Sequence, residues 1–448
     1  MEGRLTVTDD LARSKRIGWA FGAAGSTTIL YVINVVLMYY LVTAIGMDPI
    51  LAGSFMLIGR AIDAVADLMI GHFSDQTRSR WGRRRPWMAV GALFSAGGMA
   101  WLFSGTGTGA LVLVALVLTF VGYSAFAIPS SAMPAEITRD PEVRTSLMAY
   151  RTFFIQVAGL AGGALAPAMI AWGGSSPKAF ADMGYVIAAF VLFSMSVSVV
   201  MTAGVPDVGV RPVAKPSFAG LLQLFDNRPF LVLLGVKSCV FVASACLGAT
   251  GLFFMRDVAL RGETGMSQFA LASGIAGTLS VPIWRYFARF GSKADVCMVA
   301  LALSALTSLS WLLASPGEPV TLFYGRGALS GFAATGGLLM TLSMLPDAIE
   351  YGVRRSGLRK EGLYAAMFEF FQKAAFAVGP LMVGAFLQWS GYRAGTSAEV
   401  GQTETAITAV RMSMAVVPAI AQALAIALLF FFYRVPPLAA SAAPEPVI

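Results

Sequence analysis

Apolar runs of about 20 residues recur from one end of the chain to the other, and each is long enough to cross a bilayer as an α-helix. Prolines and glycines inside these runs are compatible with membrane helices, whose neighbours satisfy the freed backbone groups. The pattern therefore predicts an all-α membrane protein with twelve spans. These are residues 17–45, 50–76, 85–105, 110–138, 146–172, 181–204, 228–258, 265–288, 294–315, 320–350, 360–390 and 407–434.

Composition agrees with this pattern. The chain has 448 residues, of which 57% are hydrophobic and 12% charged, and its mean hydropathy is +0.73. Soluble domains carry about 25% charged residues. The first apolar run is too long for the core of a cleavable signal peptide. We expect a multi-pass protein of the cell inner membrane, monomeric and surrounded by lipid.

Charge asymmetry predicts the topology. Twenty-two lysines and arginines fall in the N-terminal segment, the alternate loops and the tail, against three in the opposite loops. The positive-inside rule then puts both termini in the cytoplasm. Because this bias accounts for the net charge of +8, no nucleic-acid partner is expected.

One loop divides the chain. Residues 205–227 form the longest polar, proline-punctuated connection, between apolar halves at 17–204 and 228–434. We expect a cytoplasmic segment at 1–16 and a disordered, Ala/Pro-rich tail at 435–448. Two six-helix halves joined by a cytoplasmic linker are typical of the major facilitator fold, whose halves rock about a site at the bilayer midplane.

The second span carries unusual charges: Arg60, Asp63 and Asp67. A charge inside a membrane helix costs about 2.5–3.5 kcal/mol on insertion scales and normally faces a protein cavity. Asp63 and Asp67 are four residues apart and lie on one helix face. A shared cation or proton relieves the repulsion between two such carboxylates. This is the chemistry of an ion-coupled carrier.

Several motifs together resemble one family. They are GRAIDAVADLMIGHFSDQTRSRWGRRRPW (59–87), IPSSAMPAEITRDPEVRTSLMAYR (128–151), LPDAIEYGVRRSGLRKEGLY (345–364) and FEFFQKAAFAVGP (368–380). In order and helix position they resemble the glycoside–pentoside–hexuronide:cation symporters of the major facilitator superfamily. The resemblance implies symport of a sugar, glycoside or uronide with H+ or Na+.

The resemblance assigns the coupling site to Asp63 and Asp67, with Ser124 supplying a hydroxyl. The alternative is a structural ion pair between Asp63 and Arg60. The family's usual proline and amide beside the second aspartate are Leu68 and Ala66 here. Because Na+ prefers several hard oxygen ligands and a proton needs one carboxylate, the sequence favours a proton slightly and leaves the ion open.

The resemblance also marks substrate positions. Tyr123, Arg151 and Lys373 match cavity or sugar-contacting residues, and an arginine fork suits hydroxyls or a carboxylate. Glu369 precedes Lys373 by four residues, so we expect these two to pair. Either the pair faces the cavity and contacts substrate, or it only locks its helix.

Departures from the family pattern narrow the range of expected substrates. Thr27 and Ala127 stand where its melibiose carriers have carboxylates, Ser131 where they have tryptophan, and Asn34 where they have tyrosine. We place Thr27 and Asn34 at the substrate site. The loss of two carboxylates and the gain of Glu369 make the cavity more positive, which favours an anionic sugar slightly.

A cytoplasmic gate is the third expectation. Arginines after the second span can form ion pairs that break on inward opening, although topology alone would also place arginines there. Gly71 is expected to allow close helix approach, and two acids after the tenth span are candidate partners. The residues assigned to gating are Arg60, Gly71, Asp75, Arg78, Arg80, Arg83, Arg84, Asp347 and Glu350.

The sequence indicates little chemistry beyond these sites. No phosphate loop, zinc spacing or nucleophile motif occurs in the sequence, so neither an enzyme, a metal site nor an organic cofactor is expected. The roles of His72 and Lys237 stay open. Two rival functions remain: a facilitator of the same fold that carries amphipathic or lipid-like solutes, and a non-transporting membrane sensor.

Overall fold

The computed structural model describes residues 11–105, 109–138, 140–205, 223–356, 361–395 and 401–433. Within them, twelve helices are long and apolar enough to cross a membrane. They are α1 (Arg13–Leu37), α2 (Pro49–Gln76), α3 (Arg85–Phe103), α4 (Gly109–Pro134), α5 (Glu142–Trp172), α6 (Pro177–Met201), α7 (Arg228–Asp257), α8 (Gly262–Phe287), α9 (Lys293–Leu313), α10 (Val320–Arg354), α11 (Leu363–Trp389) and α12 (Glu404–Phe432).

Local chemistry sets where the helices begin. Proline occupies the first turn of α2, α3, α6 and α7, where its missing N–H costs nothing. Polar side chains cap several starts by accepting a hydrogen bond from the first turn, for example Ser176 before α6 and Asn227 before α7. Ser292 and Asp295 form a reciprocal capping box at α9.

Two helices of the first half contain π-helical turns. In α1 the turn covers Ile33–Leu37, and a second one, Tyr40–Ala44, prolongs the helix. In α5 the π-helical turn covers Ala161–Leu165. The turn at Ile33–Leu37 contacts α7 and that of α5 contacts α8, so these irregular segments lie where the two halves of the chain meet.

The helices pack as two groups. Helices α1 to α6 contact one another extensively, as do α7 to α12, and the groups meet chiefly through α2 with α11, α5 with α8, and α1 with α7. These three pairs line the boundary on which the charged residues of α2 lie. The architecture is therefore that of two packed six-helix bundles facing each other.

The two groups come together tightly at the end where α2 begins, here called the closed end. A Cβ added to Gly53 of α2 would approach the Pro380 oxygen to 2.7 Å and Leu381 Cα to 2.8 Å, so only glycine permits this contact with α11. The backbone N–H of Gly395 donates to the Val42 oxygen (2.9 Å).

A buried carboxylate also joins the groups at the closed end. Glu263, at the start of α8, accepts a hydrogen bond from the Tyr39 hydroxyl (2.8 Å) and one from the Ser175 hydroxyl (2.7 Å). Both hydroxyls belong to the first half. The charge of Glu263 is thus removed from water only while the two halves touch.

The expectation of an all-α protein with twelve spans is confirmed, and the helix bounds lie within a few residues of those expected. The cytoplasmic orientation of the termini and the boundaries at 17–204 and 228–434 stay predictions. Most of the 1–16 segment, most of the 205–227 linker and all of the 435–448 tail lie outside the described residues.

We predict that Gly53→Val opens the closed end. Overpacking costs about 1–3 kcal/mol, which shifts a two-state equilibrium by roughly 5- to 150-fold. Hydrogen exchange measured by mass spectrometry should rise in residues 49–56 and 380–387. Gly97→Val on α3 is the matched control, since a Cβ there meets no atom within 4 Å. Unchanged exchange in Gly53→Val would contradict the closing role of this contact.

Candidate functional site

The centre of the site is a lysine held between two carboxylates. Lys373 of α11 places its Nζ 2.9 Å from Asp63 Oδ2 and in direct contact with Asp67 Oδ2. The aspartates belong to α2 and the lysine to the other half, so this ion-pair cluster spans the boundary between the halves. A positive charge already lies between the two carboxylates.

Asp63 is fully buried and has three polar neighbours. Ser124 of α4 donates its hydroxyl to Asp63 Oδ1 (2.8 Å), Lys373 contacts Oδ2, and Arg60 Nη1 lies 4.0 Å from the same oxygen. The Arg60 guanidinium is held mainly by rings, 4.9 Å from the centroid of Phe120 and 5.6 Å from that of Phe376. Arg60 is thus a secondary partner of Asp63 at mid-helix, away from the arginine loop.

Asp67 has spare binding capacity. Its Oδ2 contacts Lys373, whereas its Oδ1 is buried and has no hydrogen-bond partner among the described residues. A buried carboxylate oxygen without a partner is costly, and a proton or a cation would satisfy it. The pair Asp63/Asp67 can therefore accept a further positive charge.

The expected Glu369–Lys373 pair is wrong. Lys373 turns to the two aspartates, and Glu369 Oε1 instead lies 3.3 Å from the Nζ of Lys237 on α7. Two carboxylates attract the Lys373 ammonium more strongly than one exposed carboxylate does. Lys237, whose side chain is 1% exposed, requires a counter-ion, and Glu369 supplies it while keeping 63% of its own side chain exposed.

Other predicted substrate residues surround this centre. The Tyr123 ring centroid is 6.0 Å from Lys373 Nζ. The Arg151 guanidinium lies 6.0 Å from the Trp19 ring, and its charge interacts with that of Glu369. Among the described residues, no carboxylate lies within 4 Å of Arg151, so its charge is available to a ligand.

Two further predicted substrate positions lie on α1. Thr27 is half-buried, and no described residue forms a hydrogen bond with its side chain. The side chain of Asn34 packs against Gly248 of α7. Asn34 is therefore part of the contact between the halves.

The arginine loop, which connects α2 to α3 at residues 77–84, forms its ion pairs within the first half. Arg84 donates to Glu136 Oε1 through Nε (3.0 Å) and Nη2 (2.7 Å), to Ser74 (2.7 Å), and pairs with Asp75 (2.5 Å). Arg83 pairs with the same Glu136 oxygen at 2.7 Å. Glu136 is the shared partner of both arginines in this cluster.

The other acids and arginines assigned to gating form no ion pair between the halves among the described residues, and their gating role stays a prediction. Asp347 pairs with Lys293 (2.6 Å) and Glu350 with Arg354 (2.5 Å), so both are neutralised within the second half and pair with none of the loop arginines. A Cβ on Gly71 would meet Ile128 at an ordinary 3.7 Å, so close approach does not require glycine there. Arg78 and Arg80 are exposed.

Sequence reasoning missed the Glu263 contact and left Lys237 unassigned. The signal for Glu263 was an acid at the start of a span; its partners come from distant loops and helices. The lone histidine, His72, is exposed and contacts Gln76 (2.8 Å). No cluster of metal-ligating side chains occurs among the described residues.

Twelve membrane-capable helices and a charged centre between two bundles define a secondary transporter of the major facilitator type. The chain belongs to the MFS/sugar transport protein family, whose model matches residues 18–436, and it resembles the glycoside–pentoside–hexuronide:cation symporters within it. It is thus a multi-pass inner-membrane transporter and not an enzyme.

Relatives agree with this placement. The chain is similar to the glucuronide carrier protein homolog of Escherichia coli K12 (28% identity, 93% of this chain and 91% of the relative) and to the sodium-dependent lysophosphatidylcholine symporter 1 of Gallus gallus (24%, 87% and 81%). Its fold matches an inward-facing, unoccupied crystal structure of a bacterial homologue of the human lysosomal transporter Spinster, with a TM-score of 0.70, 13% identity, and 95% and 98% coverage.

We predict that Glu136→Gln destabilises the fold far more than Asp75→Asn. Removing Glu136 leaves the buried Arg84 without its main partner, which costs about 3–5 kcal/mol for a buried pair. The Asp75 side chain is 58% exposed, and its loss should cost below about 1 kcal/mol. Thermal unfolding in detergent measures both. Equal losses of stability would contradict the central place of Glu136.

Proposed function

We propose that the protein is a cation-coupled symporter that imports a sugar, glycoside or hexuronide with H+ or Na+ by alternating access. The observation that carries the proposal is the Lys373 ammonium between Asp63 and Asp67, at the boundary of the halves. A site that already stabilises one positive charge, and keeps one carboxylate oxygen unpartnered, is suited to a coupling ion.

The coupling ion would act on the cost of closing the cavity. When it binds Asp63 and Asp67, it competes with the lysine and neutralises their charge in a low-dielectric setting. The lysine is then freed for other contacts. By linkage, ion and substrate tighten each other's binding by the same factor.

The substrate class rests on the groups around the centre. Arg151 has an open donor fork, Glu369 exposes a carboxylate that accepts from hydroxyls, and Tyr123 offers a ring and a hydroxyl. This set suits a polyhydroxy solute with an acidic group. The name of the glucuronide carrier homolog supports the same class.

A second candidate is transport of amphipathic solutes. Next to Lys237, α7, α10 and α11 form a shallow, mainly apolar crevice whose lining includes Phe241, Leu338, Leu342 and Phe368. One similar protein is named a lysophosphatidylcholine symporter. Proteoliposomes that take up a lysophospholipid but no sugar would favour this reading over the first.

We predict that Asp67→Asn abolishes uphill accumulation while downhill exchange persists. The amide keeps the shape of the side chain but removes the charge that the coupling ion neutralises. Uptake into energised vesicles measures uphill accumulation, and a counterflow assay measures downhill exchange. Asp182→Asn, at an exposed aspartate of α6, is the matched control. A mutant that still concentrates substrate would overturn the coupling assignment.

We predict that Arg151→Gln weakens uronate binding far more than binding of the matching neutral sugar. A hydrogen bond to a charged group contributes about 1.5–3 kcal/mol, so uronate affinity should fall roughly 10- to 100-fold. A thermal-shift titration with glucuronate and glucose, with and without Na+, compares the two. Equal losses would show that Arg151 binds only hydroxyls.

A further inference from the structure

Lys373 already occupies the carboxylate pair that the coupling ion is proposed to bind. Asp63 and Asp67 hold its ammonium, and the proposed coupling ion binds the same two carboxylates. When the ion arrives, the lysine loses its partners. An ammonium left unpaired in a partly buried cavity is costly, so ion affinity depends on what receives it.

Glu369 is placed to receive the displaced ammonium. It lies four residues before Lys373 on α11, on the same helix face, in the order that favours Glu–Lys pairing. Its side chain is 63% exposed toward open space and can rearrange. Among the described residues, its side chain forms one hydrogen bond, the 3.3 Å contact between Oε1 and Lys237. The Oε2 atom has no hydrogen-bond partner among the described residues.

Other groups near Lys373 are weaker candidates. Tyr123, whose ring centroid lies 6.0 Å from Nζ, offers a cation–π contact and a hydroxyl oxygen but no negative charge. Arg60 and Arg151 are cations and repel it. Lys237 is also a cation, and it holds Glu369 Oε1 and so competes for the same carboxylate.

We propose that Glu369 is a positioning residue of ion coupling: it accepts the Lys373 ammonium when the coupling ion takes Asp63 and Asp67. The proposal rests on the proposed function. Lys373 then alternates between α2 and a carboxylate one turn away on its own helix. In the first position it joins the two halves, and in the second it releases them.

Lys237 determines how readily Glu369 accepts the Lys373 ammonium. Its ammonium lies 3.5 Å from the Phe368 ring centroid and holds Glu369 Oε1, so it competes with Lys373 for that carboxylate. Removing Lys237 should make Glu369 a better acceptor and strengthen ion binding. Removing Glu369 should weaken ion binding. Two changes in one ion pair are thus expected to act in opposite directions.

The same movement connects the ion to the substrate wall. Glu369 interacts electrostatically with Arg151, which the proposed function assigns to substrate binding. When Lys373 takes the Glu369 carboxylate, the field at Arg151 becomes more positive. Ion binding on α2 is thereby transmitted to a residue that faces the substrate.

The experiment measures ion affinity alone and needs no known substrate. Thermal stability of the purified full chain is titrated with NaCl against choline chloride at fixed ionic strength, and separately with pH. Glu369→Gln should weaken binding of the responding ion by roughly tenfold or more, the range of one hydrogen bond to a charged group. Lys237→Met should tighten it, and Lys237→Gln replaces that variant if it does not fold. Glu404→Gln, an exposed carboxylate of α12, is the matched control.

A double-mutant cycle with Lys373→Met separates a positioning role from a structural one. Without the lysine there is no ammonium to receive, so Glu369→Gln should leave ion affinity unchanged in that background. An equal loss in both backgrounds, or no loss in either, overturns the proposal. If neither the wild type nor Asp67→Asn responds to Na+ or pH, the proposed coupling itself fails, and that outcome is distinct.

Discussion

The structure depends on one constraint: two carboxylates of α2, one fully and one partly buried, lie at the boundary of the bundles and must be neutralised there. Asp63 is fully buried, and the compensating ammonium of Lys373 comes from the opposite half. Breaking a buried ion pair by removing one partner is far more costly than losing a surface pair. The contact between α2 and α11 is therefore electrostatic at its centre, and any ion that replaces Lys373 also changes how firmly the halves are joined.

Contacts at the closed end also hold the two halves together. Gly53 lets α2 touch the backbone of α11. The buried carboxylate of Glu263 accepts hydrogen bonds from two hydroxyls of the other half in place of water. These contacts are short-range and are lost together when the halves separate. The Arg84–Glu136 cluster, by contrast, stays within the first half and fixes the loop between α2 and α3. Opening at the closed end and stability of each bundle are thus governed by different residues.

The sequence predicted what is local in the chain. Apolar runs gave the helices, and the four-residue spacing gave the shared face of Asp63 and Asp67. The same spacing rule failed for Glu369 and Lys373, because an attraction between residues more than 300 positions apart outweighs an i, i+4 pair worth a few tenths of a kcal/mol. Partners of Lys237 and Glu263 come from other helices and loops, and no local pattern identifies them.

Charge balance explains why ion and substrate would travel together. Among the described residues, the charged centre between the halves comprises three carboxylates and four cations, one net positive charge: Asp63, Asp67, Glu369, Arg60, Arg151, Lys237 and Lys373. A coupling ion alone adds a second positive charge, which a low-dielectric closed state disfavours. In the proposed cycle, an anionic sugar bound with the ion would restore the charge balance of the empty carrier. The empty and the doubly loaded protein would then close at similar cost, whereas a carrier holding only the ion would not.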